Sequence, residues 1–255
     1  MYIAIPKENL NNETRVAATP TTVKELIKVG LNVHIQSNAG LESHISNSEY
    51  ESAGAKIVDS KDELFSKADI VAKVLPPTLD QIVQMRPKTL MVSFCQTVRE
   101  IDTVKALKEQ SVTGFSMHLI PRTTLAQKMD ALSSQANIAG YKAVLMAASK
   151  LGVYMPLLMT AAGTIRPAKV LVIGAGVAGL QAIATAKRLG AKVEAFDTRP
   201  VVEEQVKSLG ANFVKVDLGE TGQTKDGYAK ALTEEQLEKQ RQIMHLFRDQ
   251  LPRKW

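Results

Sequence analysis

The apolar run Lys169-Val170-Leu171-Val172-Ile173 is followed at once by Gly174-Ala175-Gly176-Val177-Ala178-Gly179, and then by a helical pattern reaching Leu189. Three glycines in this order carry meaning only between a strand and a helix, which is where they stand here. Gly174 permits a tight turn, Gly176 keeps a side chain out of the way of an approaching pyrophosphate, and Gly179 lets the helix close onto the strand. Val177 begins the helix, where unpaired amides and the helix dipole attract phosphate. A second strand, Lys192 to Phe196, ends at Asp197, about 20 residues beyond the motif, where a carboxylate accepts ribose hydroxyls and repels a 2′-phosphate. A glycine-rich turn by itself could serve only close packing; strand, turn, helix, strand and acid in sequence point to a dinucleotide. Arg199 could greet the extra phosphate of NADP, but Asp197 is the better-placed group, so NAD(H) is the expected cofactor.

Short runs of strand character recur through the first half: Tyr2 to Ile5, Leu31 to Ile35, Ile70 to Val74, Leu90 to Phe94 and Val112 to Ser116. Helical spacing lies between them, with Val23, Leu26, Ile27 and Val29 on one side of Thr21 to Val29, and Ile101, Val104 and Leu107 along Glu100 to Gln110. This alternation predicts a parallel sheet with helices on both faces. Ser133 to Lys150 reads as a longer helix whose apolar stripe is Ile138, Tyr141, Val144, Leu145 and Ala148, and Gly152, Pro156 and Gly163 to Pro167 punctuate the stretch after it. Beyond Lys169 come a helix from Val177 to Leu189, the strand Lys192 to Phe196, a helix from Val201 to Leu209, a strand from Asn212 to Val216, a glycine-rich loop from Gly219 to Gly227, and a charged helix from Thr233 to about Arg248. The expected fold class is α/β in two domains: an N-terminal parallel-sheet, flavodoxin-like domain over 1–130, a linking helix and loop over 131–165, and an incomplete Rossmann dinucleotide-binding domain over 166–255. It is incomplete because no sequence remains for the second set of strands that would complete the crevice at the switch point.

Composition narrows the function. Apolar residues make up 45% of the 255, enough for real cores. The start of the chain lacks the basic leader, apolar core and small-residue cleavage site of a secretory signal. The most apolar stretch, Tyr141 to Ile165, is broken by Lys142, Lys150, Gly152 and Pro156, short of the roughly 20 apolar residues of a membrane helix. Cys95 is the only cysteine, so an intrachain disulfide and a cysteine metal cluster are excluded, and a reducing, cytoplasmic setting is expected. The net charge of +6 is spread among acidic residues, which argues against nucleic acid as a partner.

The stretch from Pro121-Arg122-Thr123-Thr124-Leu125-Ala126-Gln127-Lys128-Met129-Asp130 through Ser133-Ser134-Gln135-Ala136-Asn137 to Gly140-Tyr141, with Thr160-Ala161-Ala162-Gly163-Thr164 and the glycine motif, resembles domain I of the proton-translocating NAD(P) transhydrogenases. The resemblance implies a domain that binds NAD(H) and exchanges a hydride with NADP(H) held on a separate partner domain, coupled to proton movement through a membrane-embedded subunit. It also implies a homodimer attached to the inner membrane only through its partner subunits. Its site residues fall on Arg122, Gln127, Asp130 and Ser133 for the reacting end, with Lys128 and Met129 alongside. Asp197, Thr198 and Arg199 serve the adenosine side, and Gly227 closes over the nucleotide. Gln127 is able to hydrogen-bond amide or ribose groups, and Arg122 with Asp130 to hold the loop. A plainer possibility is that Ser133 caps a helix and Arg122 with Asp130 forms a loop salt bridge. Direct hydride transfer needs proximity rather than a nucleophile, a metal or an acid–base histidine.

Alanine dehydrogenase, a relative of the same architecture, is the nearest alternative. Lys7, Arg15 and Lys73 sit where its keto-acid-binding cations would be, but its catalytic histidine position reads Gln96, which exchanges no proton near neutral pH. His34, His44, His118 and His245 lie elsewhere and read as surface or packing residues. A third alternative is a truncated chain without activity: the family implied by the resemblance continues beyond Trp255, and Ile243 to Trp255 departs from its pattern. Such a chain would expose the sheet edge at Lys169 to Ile173 and associate.

Overall fold

The computed structural model describes residues 1–9, 12–216, 224 and 229–250, and these fall into two compact units, Met1–Asp130 and Ala131–Trp255. Gly227 and most of the glycine-rich loop before it lie outside the described residues. The strands of the first unit are β1 (Tyr2–Ile5), β2 (Asn32–Gln36), β3 (Lys56–Val58), β4 (Ile70–Ala72), β5 (Leu90–Ser93) and β6 (Thr113–Ser116). Its helices are α1 (Pro20–Lys28), α2 (Asn47–Ser52), α3 (Lys61–Lys67), α4 (Leu79–Gln84) and α5 (Ile101–Glu109). Local chemistry starts several of them: Thr19, Ser46 and Thr78 each form a capping box with the residue three positions on, and Pro20 comes after Thr19 as a preset first helical residue.

All six strands pair in parallel, in the order β3-β2-β1-β4-β5-β6. That is the order of the doubly wound dinucleotide folds; a flavodoxin order would run 2-1-3-4-5. The pleat divides the core in two. Ile3 and Ile5 pack with Val33, Ile35, Val23 and Tyr50 on the α1 and α2 side, while Ala4 joins Val71, Met91, Leu64, Phe65, Ile82 and Leu107 on the side of α3, α4 and α5. The helical stripes are narrower than their periodicity predicts. Val23 is fully buried but Val29 is 75% exposed, and on α5 only Leu107 is buried while Ile101 and Val104 face outward. The short β3, α2, α3 and α4 give no clear period in the sequence; caps and neighbours define them.

The second unit begins with α6 (Ala131–Lys150), followed by an antiparallel hairpin, β7 (Leu158–Thr160) and β8 (Gly163–Ile165). Punctuation alone was expected over the hairpin; two strands of three residues are too short to alternate legibly. Then come β9 (Lys169–Ile173), α7 (Val177–Arg188), β10 (Lys192–Phe196), α8 (Glu203–Ser208), β11 (Asn212–Phe213) and α9 (Glu234–Gln250). The sheet runs β11-β10-β9 in parallel, with β9 at an edge among the described residues. Its core gathers Val144, Ala175, Ile183, Ala186, Val193, Ala195, Val202 and Val206. The expected stripe on α6 holds at Val144 and is corrected elsewhere: Ile138 and Tyr141 are 57% and 47% exposed, Leu145 and Ala148 are half-buried, and Gly140 is buried with Val144. Among the described residues no helix is long and apolar enough to cross a membrane.

Candidate functional site

The glycine turn grows directly out of the sheet. β9 and β10 pair through Ile173 and Phe196, and the Gly174 amide extends the ladder by donating to the Phe196 carbonyl at 2.7 Å. Gly174 then takes φ +92°, a left-handed backbone that glycine adopts without strain. A Cβ on Gly179 would overlap the Gly174 carbonyl oxygen, so the third glycine closes the turn on itself and, with Val172 beside it, onto the strand. Around Gly176 there is room: the nearest atom to a Cβ there would be an Arg199 guanidinium nitrogen, 3.9 Å away.

Gly176 is the N-cap of α7 and supplies no side chain to cap it. The first helical bond, Leu180 N–H to Gly176 C=O, is 2.8 Å, so the amides of Val177, Ala178 and Gly179 precede any intrahelical partner. Ile173 and Val177, on either side of the turn, are 61% and 42% exposed. The result is an open, uncapped helix start of the kind that takes an anion.

Asp197 lies behind the turn with its side chain 5% exposed. Its Oδ2 accepts the Ala175 amide at 2.7 Å and Arg199 Nη2 at 2.8 Å, and its Oδ1 accepts the Arg199 amide at 2.8 Å and Arg199 Nε at 2.9 Å. A carboxylate offers about four lone-pair positions, and all are filled here. Burial pushes the Asp197 carboxyl up, but the Arg199 fork and the two amides outweigh it and hold it below the ordinary aspartate range. Asp197 is therefore not a waiting carboxylate: a further donor reaches it only by exchanging with one of these partners. Thr198, between them, is half-buried.

The other predicted residues occupy the end of the first unit and the start of α6. A short 3₁₀ segment over Thr124–Met129 is anchored by Ala126, 4% exposed, and presents Gln127, Lys128 and Met129 outward, with Arg122 exposed just before it; the Asp130 amide returns to the Gln127 carbonyl at 3.2 Å. Ser133 is the third residue of α6, inside the helix rather than at its cap. The glycine turn, Asp197 and Arg199 are thus assembled around one another in the second unit, while Arg122, Gln127, Lys128, Met129 and Asp130 belong to the first.

The first unit carries its own polar pocket of about 280 Å³, lined by Lys7, Glu8, Asn9, Glu13, Arg15, Ala39 and Glu42. Glu13 receives Arg15 in a fork at 2.7 Å on each oxygen, and Arg15 also lies 6.0 Å from the Phe94 ring centre. Lys73 forms an ion pair with Glu8 at 3.2 Å, both side chains 2% exposed, and Glu8 also accepts the Val74 amide at 2.7 Å. Burial pulls the Lys73 ammonium down from its ordinary value against the pull of Glu8. In this state both cations are committed to carboxylates. Gln96 is exposed; its side-chain amide exchanges no proton, and its backbone N–H donates to Glu100 at 2.7 Å. Among the described residues no cluster of histidine, cysteine, aspartate and glutamate could hold a metal ion.

Sequence reasoning did not single out Glu8, Glu13 or the contact of α6 with α7. Glu8 and Glu13 precede Arg15 in a loop without period, so only their partners reveal them. Asn137 Nδ2 donates to Gln181 Oε1 at 3.2 Å, and Gly140 sits where a side chain would collide with Ala178; the one available signal was a glycine within a long helical pattern.

The family model for the alanine dehydrogenase/PNT N-terminal domain matches residues 4–139, and that for the C-terminal domain matches 143–247. The chain is 45% identical over 250 residues to NAD(P) transhydrogenase subunit alpha of Haemophilus influenzae, covering 98% of this chain and 48% of that protein. It is similar to the crystal structure of transhydrogenase from Sinorhizobium meliloti, with a TM-score of 0.82 and 44% identity over 86% of this chain and 65% of the other. Alanine dehydrogenase of Bacillus subtilis is more distant, 32% identical over 85% of this chain and 59% of that protein. The chain spans about half the length of the Haemophilus protein and less than two thirds of the other two.

Proposed function

Because this chain belongs to the alanine dehydrogenase/PNT family, we propose that it is the NAD(H)-binding component of a proton-translocating NAD(P) transhydrogenase. The observation that carries the proposal is the uncapped start of α7, open at Gly176, with an acid and its arginine directly behind it. A diphosphate fits there: the Val177, Ala178 and Gly179 amides and the positive helix end would hold it, and Gly176 leaves the approach clear. Asp197 and Arg199 would divide the adenosine ribose between them, the arginine giving up side-chain bonds as hydroxyls arrive, with Thr198 alongside and Gly227, outside the described residues, closing over the nucleotide.

When bound, the nicotinamide would serve as hydride donor in its reduced form or as acceptor in its oxidised form, with NADP(H) on a partner domain as the other reactant. The residues of this chain bind and orient: Gln127 offers its amide to ribose or carboxamide groups, Arg122 and Asp130 brace the exposed loop that carries it, Lys128 and Met129 flank it, and Ser133 holds the ring side. No residue here is asked to move a proton. The working assembly is a homodimer joined through partner subunits to a membrane-embedded subunit, which couples hydride exchange to proton translocation.

The test is calorimetric. NADH binds the isolated chain and Asp197→Asn weakens it at least tenfold, while hydride exchange appears only once the NADP(H)-binding domain is added. A folded chain that takes no NADH at millimolar concentration would refute the proposal. An alanine dehydrogenase activity is disfavoured by Gln96, since the substrate oxygen then lacks a proton-exchanging partner.

A further inference from the structure

Gly140 sits in the middle of α6, where glycine costs about 0.5–1 kcal/mol relative to alanine, so the position answers to something outside the helix. What it meets is backbone. A Cβ on Gly140 would overlap the Ala178 carbonyl oxygen and lie 2.8 Å from the carbonyl carbon and 3.0 Å from its Cα. Ala178 is the second residue of α7, within the uncapped turn that faces the diphosphate. The contact belongs to a stripe: Asn137, Gly140 and Val144 recur at helical spacing along α6. Asn137 ties to Gln181, whose amide nitrogen in turn donates to the buried Thr185 hydroxyl at 3.1 Å, and Val144 shares a core with Ala175 of the turn itself. Helix α6 thus backs the phosphate-facing turn at its base, in its first turn and one turn further on.

We infer that Gly140 is a positioning residue for dinucleotide binding: by lacking a side chain it lets α6 press on the peptide of Ala178 and so aims the Val177, Ala178 and Gly179 amides. The inference rests on the reading of this turn as a dinucleotide cradle. A methyl group at 140 would have to push that peptide away by about 1.3 Å or more to restore ordinary carbon–oxygen spacing, and displacements of about 1 Å already cost reaction rates up to about a hundredfold where geometry matters. A purely structural glycine would affect all ligands alike, whereas a positioning glycine affects those that use the amides.

Titration of the wild-type chain, Gly140→Ala and Asn137→Ala with ADP-ribose, which has a diphosphate, and with adenosine, which has none, separates the two. Expected are at least a tenfold loss of ADP-ribose affinity in Gly140→Ala, a loss of a few fold in Asn137→Ala, and adenosine affinity within about twofold of wild type in both. Equal losses for the two ligands, or an unchanged ADP-ribose affinity, would overturn the inference. If Gly140→Ala does not fold, the ratio of the two affinities in Asn137→Ala decides in the same way. A wild-type chain that binds neither ligand refutes the cradle itself; a wild-type chain that binds both, with an unchanged ratio in the variants, refutes only the role of Gly140.

Discussion

Replacing Arg199 with leucine tests whether the fork on Asp197 holds the second unit together. The Asp197 side chain is 5% and the Arg199 side chain 15% exposed, so solvent screens the pair little. The substitution removes the bonds at 2.9 and 2.8 Å and leaves the carboxylate with only the backbone amides of Ala175 and residue 199. Deleting one partner of a fully buried pair costs about 3–5 kcal/mol; the two surviving donors bring this to about 2–3 kcal/mol. For a chain of this size that corresponds to a fall in Tm of roughly 4–12 °C. The loss also has a pH signature. Asp197 titrates below its unfolded value of about 3.9, so its stabilisation is complete above that value and disappears as the pH falls through the folded value. In Arg199→Leu the arginine no longer depresses it and burial pushes it upward. Urea melts of both proteins from pH 7 down to pH 3.5 should therefore converge in acid. A loss below about 0.5 kcal/mol at pH 7, or a gap that acid leaves unchanged, would refute the reasoning.

Gly179→Ala forces a methyl group into the Gly174 carbonyl, and a loss of more than about 3 kcal/mol is expected in thermal melts, with far less for Gly152→Ala, where a Cβ meets nothing within 4 Å. In the first unit, Glu8→Gln strips Lys73 of its buried counter-charge and should cost about 3–5 kcal/mol in urea denaturation; Lys73→Met on the same background should recover part of it, and strict additivity would contradict a direct pair. With NADH, pyruvate and ammonia, the chain should oxidise NADH no faster than buffer alone, measured by absorbance; clear turnover would restore the alanine dehydrogenase alternative despite Gln96.

Much of the second unit was legible because its signals are local. The strand Lys169 to Ile173, the turn at Gly174 and the strand Lys192 to Phe196 fall where composition and spacing put them, since strand period, left-handed backbone and helix start are properties of neighbouring residues. The sequence alone likewise specified two α/β regions, with β1, β2, β4, β5 and β6 near their observed places, whereas the capped starts of α1, α2 and α4 emerged only with the structure. Strand order was beyond its reach, because buried parallel strands present the same apolar runs in a 3-2-1-4-5-6 sheet as in any other. Only the tertiary structure decided that Asp197 is filled by Arg199, that Lys73 is neutralised by Glu8, and that α6 packs through Gly140 while Ile138 and Tyr141 stay exposed. Those outcomes depend on which distant backbone or side chain arrives at a given face, and periodicity within one segment carries no information about its partner.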